Sequence, residues 1–296
     1  VIDALLRDYT ERLRKAGVLN PEGQARLILE KFCKDNAPLN EKMKARIEDA
    51  IQRRERRMPL ERIFGSADMC GITIKTGEGV YKPYPETEDI IHYAVTLLSG
   101  WRKAPRILDL GTGTGCILLS LLRALPQATG VGVDINEKAL ELAEENARLN
   151  SLQDRGEFRC GDWTEGLSEK FDLIISNPPR AATCNLPYLL PEMRNFDPSN
   201  ALDGGMDGFS FIRRLVEAFD ALSEPNGLCI CEVGPNQAFP AKALFRGKGF
   251  RDVELMGNYL REPCCIVVRK QPSAPQQTSF WYKLLNFLVK AKIIRV

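Results

Sequence analysis

The stretch Arg106–Gly115, RILDLGTGTG, reads as one buried strand running into a glycine-rich turn. Ile107, Leu108 and Leu110 give the strand its apolar body, and CILLSLLRAL over residues 116–125 opens a helix with apolar residues at helical spacing. Glycines between a strand and a helix let backbone N–H groups approach a nucleotide-like ligand, with the helix N-terminus facing it. The spacing is G-x-G-x-G at Gly111, Gly113 and Gly115, which differs from the G-x-G-x-x-G dinucleotide fingerprint. A second strand over residues 129–133 ends in Asp134, the position where a doubly wound fold places an acid on ribose hydroxyls. A hydride-transferring enzyme shares that acid, so these residues alone leave the chemistry open.

Outward from this core, strand and helix patterns alternate. Helices are expected over residues 89–98, 137–150, 208–222 and 239–248, and strands over 156–160, 171–176, 227–233, 252–255 and 264–268. The alternation predicts a mostly parallel sheet covered on both faces, with the apolar strand 227–233 central. Residues 1–59 are helical by pattern, with Leu5, Leu6, Tyr9 and Leu13, then Ala25, Leu27, Ile28, Leu29 and Phe32, then Met43, Ile47 and Ile51 as apolar faces. Arg53, Arg54, Arg56 and Arg57 at the end of this region read as a solvated basic face, with contact to an acidic or RNA-bearing partner as the alternative. Residues 60–79 are expected to form a β-hairpin linker, and 80–270 the α/β domain. After the polar linker 271–279, residues 280–296 carry an apolar stripe with interspersed Lys and Arg, expected as an amphipathic helix docking on its own domain or on a protein partner, with a membrane-surface helix as the alternative.

With 41 Lys and Arg against 39 Asp and Glu, the formal charge of +2 points neither to nor away from nucleic acid. Nine cysteines without a C-x-x-C framework fit a reducing compartment, the cytoplasm, with the mitochondrial matrix as the alternative. The chain starts with Val, as a trimmed or processed chain would. The single histidine, His92, sits between Ile91 and Tyr93 on a helix, so no metal site is expected. No apolar run is long enough to span a membrane, and a monomer is the default.

The residues that select the chemistry are Ser176-Asn177-Pro178-Pro179, at the carboxyl end of a strand beside the glycine turn. Two consecutive prolines stiffen the loop and remove two N–H donors, leaving its carbonyls free to accept. A flat amide or amino group entering there can give its two N–H bonds to the Asn177 side-chain oxygen and the Pro178 carbonyl. Its nitrogen is then aimed at a fixed point, which is what a poor nucleophile most needs.

The chain here resembles the release-factor glutamine methyltransferases, the PrmC/HemK family, over nearly all of its length to about residue 270. The resemblance rests on RMPLERIFG at 57–65, PETE at 85–88, DLGTGTG at 109–115, Asp134, GDW at 161–163 and SNPP at 176–179. PEMRNFDPSNALDGGMDG at 191–208 and EVGPNQ at 232–237 complete it. It implies a Rossmann-like, seven-stranded SAM-dependent methyltransferase domain with a small helical N-terminal domain that helps recognise the protein substrate. It further implies S-adenosylmethionine as donor, and as acceptor the glutamine amide in the Gly-Gly-Gln loop of peptide-chain release factors. Gly111, Thr112, Gly113, Thr114 and Gly115 would cradle the donor's amino-acid part, Asp134 its ribose, and Asp162 and Trp163 its adenine. Asn177, Pro178, Pro179 and residue 180 would form the catalytic loop, with Asn177 bordering donor and acceptor.

Two positions depart from that family. Arg180 stands where it reads NPPY, and Tyr84 where it reads R-P-E-T-E. Two unit charges about 4 Å apart repel by about 4 kcal/mol at an effective dielectric of about 20, worth nearly three powers of ten in rate. Either Arg180 points away from the donor sulfonium or catalysis has decayed. The exchange of Arg and Tyr between the two motifs suggests neighbouring side chains that swapped places, leaving Tyr84 as an aromatic wall; two independent losses is the competing reading. Three functions follow: a release-factor glutamine methyltransferase, a catalytically inactive relative kept as an assembly component, and a methyltransferase for nucleic-acid amino groups.

Overall fold

The computed structural model describes residues 2–271 except 34–38, 102, 235, 259 and 261. The helix expected over 280–296 and all of the linker 271–279 but its first residue lie outside the described residues. Three helices, α1 (Ile2–Lys15), α2 (Pro21–Phe32) and α3 (Glu41–Glu55), open the chain. Asn20 and Asn40 cap α2 and α3 by accepting from the N–H groups of Gly23 and Met43. Tyr9, Leu13, Ile28, Ile47 and Ile51 fill the centre of the bundle, while Leu27, expected inside, is half exposed. Arg12 of α1 ties down α3 through Glu48 and Glu55 at 2.8 and 2.9 Å.

The segment 60–79 is not wholly a hairpin. LERIF forms a helical turn, α4 (Leu60–Phe64), because Pro59 accepts the first helical hydrogen bonds and Gly65, at φ 71°, supplies the left-handed cap. The hairpin follows as β1 (Ser66–Met69) and β2 (Ile72–Lys75). Met69, Ile72 and Ile74 pack into the α/β core.

That core is one sheet ordered β5-β4-β3-β6-β7-β9-β8. Its strands are β3 (Arg106–Leu110), β4 (Thr129–Asp134), β5 (Gly156–Cys160), β6 (Phe171–Ser176), β7 (Ser223–Glu232), β8 (Asp252–Gly257) and β9 (Pro263–Arg269). Only β9 runs against the others. Alternate side chains serve opposite faces, as a pleat requires. Ile107, Leu173, Leu228 and Ile230 meet α5 (Thr87–Leu98) and α6 (Cys116–Ala124), whereas Leu108, Ile174, Cys229 and Cys231 meet α9 (Ser210–Leu222) and α10 (Ala238–Gly247). β7 is buried almost throughout, as its composition predicts. Helix α7 (Glu137–Leu149) covers β4 and β5, and α8 (Pro191–Arg194) is a single turn between two 3-10 turns at Thr183–Tyr188 and Ser199–Ala201. No helix among the described residues is long and apolar enough to cross a membrane.

Candidate active site

The strand order reverses between β3 and β6, and the loops leaving their carboxyl ends diverge there. This is where an open parallel sheet opens a crevice. After β3 the chain turns through Gly111 (φ 72°) and Gly113 (φ 54°), a conformation that costs an L side chain about 1–2 kcal/mol. The turn is wired to the neighbouring strand: Gly111 and Thr112 donate backbone N–H to the Val133 carbonyl at 2.9 and 3.0 Å. Gly113 donates to Asp134 Oδ2 at 2.8 Å, and the other Asp134 oxygen accepts from the Asn136 N–H at 2.9 Å. Burial raises the Asp134 carboxyl above its ordinary range, and these backbone donors pull it back. A Cβ on Gly113 would meet nothing within 4 Å. The turn is therefore a backbone cradle facing open space.

That space is a cleft of about 250 Å³. Gly111, Thr112, Gly113, Thr114, Asp134, Asp162, Trp163 and Asn177 all line it, joined by Pro179. Gly115 does not. It is the left-handed cap of α6, and a Cβ there would stand 3.2 Å from both Ala143 and Leu119, so its smallness serves helix packing. Trp163, at φ 66°, packs at a tilt against Phe211, with centroids 5.2 Å apart. Arg214 lies over the Trp163 ring and bonds Asp162 at 2.8 Å.

A second cleft opens on the other side of Asn177, lined by Asn177, Pro178, Arg180, Met193, Phe209 and Gln237 among others. Arg180 lines this second cleft and not the first. Its guanidinium donates to Asn177 Oδ1 at 2.6 Å and pairs with Glu232 at 2.9 Å. Burial works against the Arg180 charge, but Glu232, together with Tyr81 and Cys231, outweighs it, so the guanidinium stays protonated. Burial in turn raises the Glu232 carboxyl against the pull of Arg180 and Thr87.

Tyr84 is not the aromatic wall. It lines neither cleft, and its hydroxyl donates to Asp197 Oδ2 at 2.6 Å, while Arg62 holds the other Asp197 oxygen at 3.0 Å. The aromatic shared by both clefts is Tyr81, whose ring packs on Tyr84 with centroids 5.2 Å apart. Tyr81, Thr87 and Gln237 line these clefts and Glu232 stands behind them. Thr87, Glu232 and Gln237 lie inside the PETE and EVGPNQ motifs, which carried the resemblance without giving those residues a role. Tyr81 lies in the irregular segment before α5, where no periodicity marks which aromatic turns inward. The basic run at the end of α3 is also not wholly free, since Arg54 on the helix and Arg57 just beyond it clasp Glu192 at 2.6 and 2.7 Å. Arg53 and Arg56 remain exposed. His92 sits on the surface of α5, and no group of metal-ligating side chains is assembled among the described residues.

A glycine cradle, an acid at the end of the adjacent strand and an Asn-Pro-Pro loop across the crevice define a Rossmann-like methyltransferase domain. A methyltransferase-domain family matches residues 102–271, and the PrmC N-terminal domain matches residues 4–65. The release factor glutamine methyltransferase of Rhodospirillum rubrum is 36% identical over 285 residues, covering 93% of this chain and 87% of that protein. That of Caulobacter vibrioides is 37% identical over 272 residues, covering 88% and 94%. The chain belongs to the release factor glutamine methyltransferase family. Among solved structures, the hMettl16 catalytic domain in complex with a MAT2A 3'UTR hairpin shares the fold at TM-score 0.58 and 16% identity, covering 81% of this chain and 84% of that one. A methyltransferase from Pyrococcus furiosus does so at TM-score 0.51 and 18% identity, covering 78% of this chain and 100% of that one.

Proposed function

We propose that this chain binds S-adenosylmethionine in the first cleft and methylates the side-chain amide of a glutamine in a peptide-chain release factor, presented through the second. The observation that carries this reading is that Asn177 walls both clefts, together with Tyr81 and Ala201, so a donor and an acceptor would meet at its amide. The residues fit the donor. Gly111 and Gly113 leave room for a polar ligand against bare backbone, and Asp134 keeps lone pairs for two ribose hydroxyls beyond those its backbone donors use. Trp163 and Phe211 offer apolar faces to a purine.

Bound there, S-adenosylmethionine supplies an electrophilic methyl group. The protein's own contribution is orientation. Asn177 Oδ1 and the Pro178 carbonyl accept from the two N–H groups of the acceptor amide and fix its nitrogen, with no covalent enzyme intermediate. The release factor would reach the second cleft past the 181–208 segment and the helical domain docked on it through Glu192.

The test is methyl transfer from labelled S-adenosylmethionine to an intact release factor and to one whose Gly-Gly-Gln glutamine is replaced, with Arg180→Tyr run beside the unaltered chain. Label in the first factor and not the second supports the reading. Label in nucleic acid instead, or silence in both chains while S-adenosylmethionine still binds, would replace it with an amino-group or a non-catalytic role.

A further inference from the structure

Four side chains close a ring at the wall between the clefts. Arg180 Nη1 donates to Asn177 Oδ1 at 2.6 Å, and Asn177 Nδ2 donates to Thr87 Oγ1 at 3.1 Å. Thr87 Oγ1 donates to Glu232 Oε2 at 3.0 Å, and Glu232 Oε1 faces Arg180 Nη2 at 2.9 Å. Thr87 is 1% exposed and Glu232 5%, while the Arg180 side chain keeps 31% of its surface. The ring pins the Asn177 amide at both ends, yet its oxygen retains a second lone pair.

A guanidinium cannot give up its proton, so a fixed positive charge stands one hydrogen bond from a residue lining the donor cleft. Alone, that charge would oppose a sulfonium. A carboxylate in contact with it turns the long-range field of a charge into the shorter-range field of an ion pair.

We propose that Glu232 is the counter-charge that lets Arg180 occupy the methyl-transfer site, cancelling its repulsion of a cationic donor while Arg180 and Thr87 hold the Asn177 amide in place. This rests on the reading of the first cleft as the S-adenosylmethionine site.

The experiment measures two affinities on the full chain by calorimetry: S-adenosylmethionine, whose sulfur is charged, and S-adenosylhomocysteine, whose sulfur is not. Glu232→Gln keeps the side chain's shape and removes the counter-charge, so S-adenosylmethionine should weaken about tenfold more than S-adenosylhomocysteine, the scale of one unit charge across a partly buried site. Arg180→Gln should shift the ratio the other way, and the double variant should return it close to the starting value. If Glu232 is merely structural, both ligands weaken alike and the ratio stays put, which overturns the proposal. Where Glu232→Gln does not fold, an unchanged ratio in Arg180→Gln overturns it equally. Failure of the unaltered chain to bind either ligand is a different result, and it removes the donor-site reading together with the proposal.

Discussion

The Arg54 guanidinium on α3 lies 2.6 Å from the carboxylate of Glu192, 138 residues along the chain at the start of α8, and Arg57 holds the same carboxylate at 2.7 Å. Arg54 is 3% exposed and Glu192 13% at their side chains, so the contact is largely dry. It fastens the helical bundle to the segment whose Leu189 and Met193 line the second cleft.

Removing one partner of a buried pair leaves the other charge uncompensated, so Glu192→Ala should lower stability by about 3 kcal/mol. If the bundle positions the release factor, its KM should rise several-fold while S-adenosylmethionine affinity holds. Burial raises the Glu192 carboxyl, but the Arg57 and Arg54 hydrogen bonds outweigh it and hold it at about 2, below its ordinary 4.5. A depressed folded-state value means that the stabilisation is complete above about pH 4.5 and is lost as pH falls towards 2. Urea unfolding of the unaltered and Glu192→Ala chains should therefore differ less at pH 3 than at pH 7.

If the first cleft holds S-adenosylmethionine as proposed, Asp134→Asn keeps the shape but replaces one of two accepting oxygens that Gly113 and Asn136 already use. One charge-assisted hydrogen bond to a ribose hydroxyl is worth about 1.5–3 kcal/mol, so S-adenosylmethionine affinity should fall roughly 10- to 100-fold. Calorimetry beside an unchanged circular dichroism spectrum checks this.

The strand–turn–helix of residues 106–124, the sheet and the Asn-Pro-Pro loop were legible in the sequence because each is encoded locally, by periodicity or by residues that restrict the backbone. The long-range pairs around the second cleft were not. Arg54 with Glu192, Tyr84 with Asp197 and Arg180 with Glu232 join segments far apart in the chain, and no local pattern names the partner of a charged side chain. The same holds for Asn146 on α7, fully buried, whose amide bonds both Lys75 of the hairpin and the Thr114 carbonyl of the glycine turn. Tyr84 is not found as the expected wall for a related reason: sequence shows that two motifs each changed, while geometry decides which of two nearby tyrosines faces the cleft.

The GGMDG run illustrates a motif whose purpose only geometry supplies. Gly208 has φ 78°, and a Cβ there would stand 2.7 Å from the Arg180 carbonyl oxygen. Gln237 Nε2 donates to the carbonyls of both Gly208 and Arg180 at 2.9 Å. Gly208→Ala should cost about 1–2 kcal/mol for the left-handed backbone alone and push residue 180 out of register. Thermal unfolding reads the first effect. The second appears as a lower kcat with S-adenosylmethionine affinity held within about twofold, since Gly208 lines neither cleft.

Asp109 lies beneath the glycine turn, fully buried, accepting from Thr112 Oγ1 at 2.8 Å. Burial pushes its carboxyl up to about 7, against the pull of that hydroxyl and the Leu118 N–H. A carboxyl with a raised folded-state value holds its proton in the folded chain while the unfolded chain has lost it. Stability therefore drops as pH climbs from about 4 to about 7 and levels off above. Asp109→Asn abolishes the titration. Relative to the unaltered chain, the variant should gain roughly 3–4 kcal/mol of stability between pH 4 and pH 8. Urea midpoints at the two pH values measure that gain, and a difference independent of pH would mean that the Asp109 carboxyl is ionised in the fold at little cost. If the gain is found, the acid is held at a stability cost directly beneath the glycine turn, a cost that packing alone does not explain.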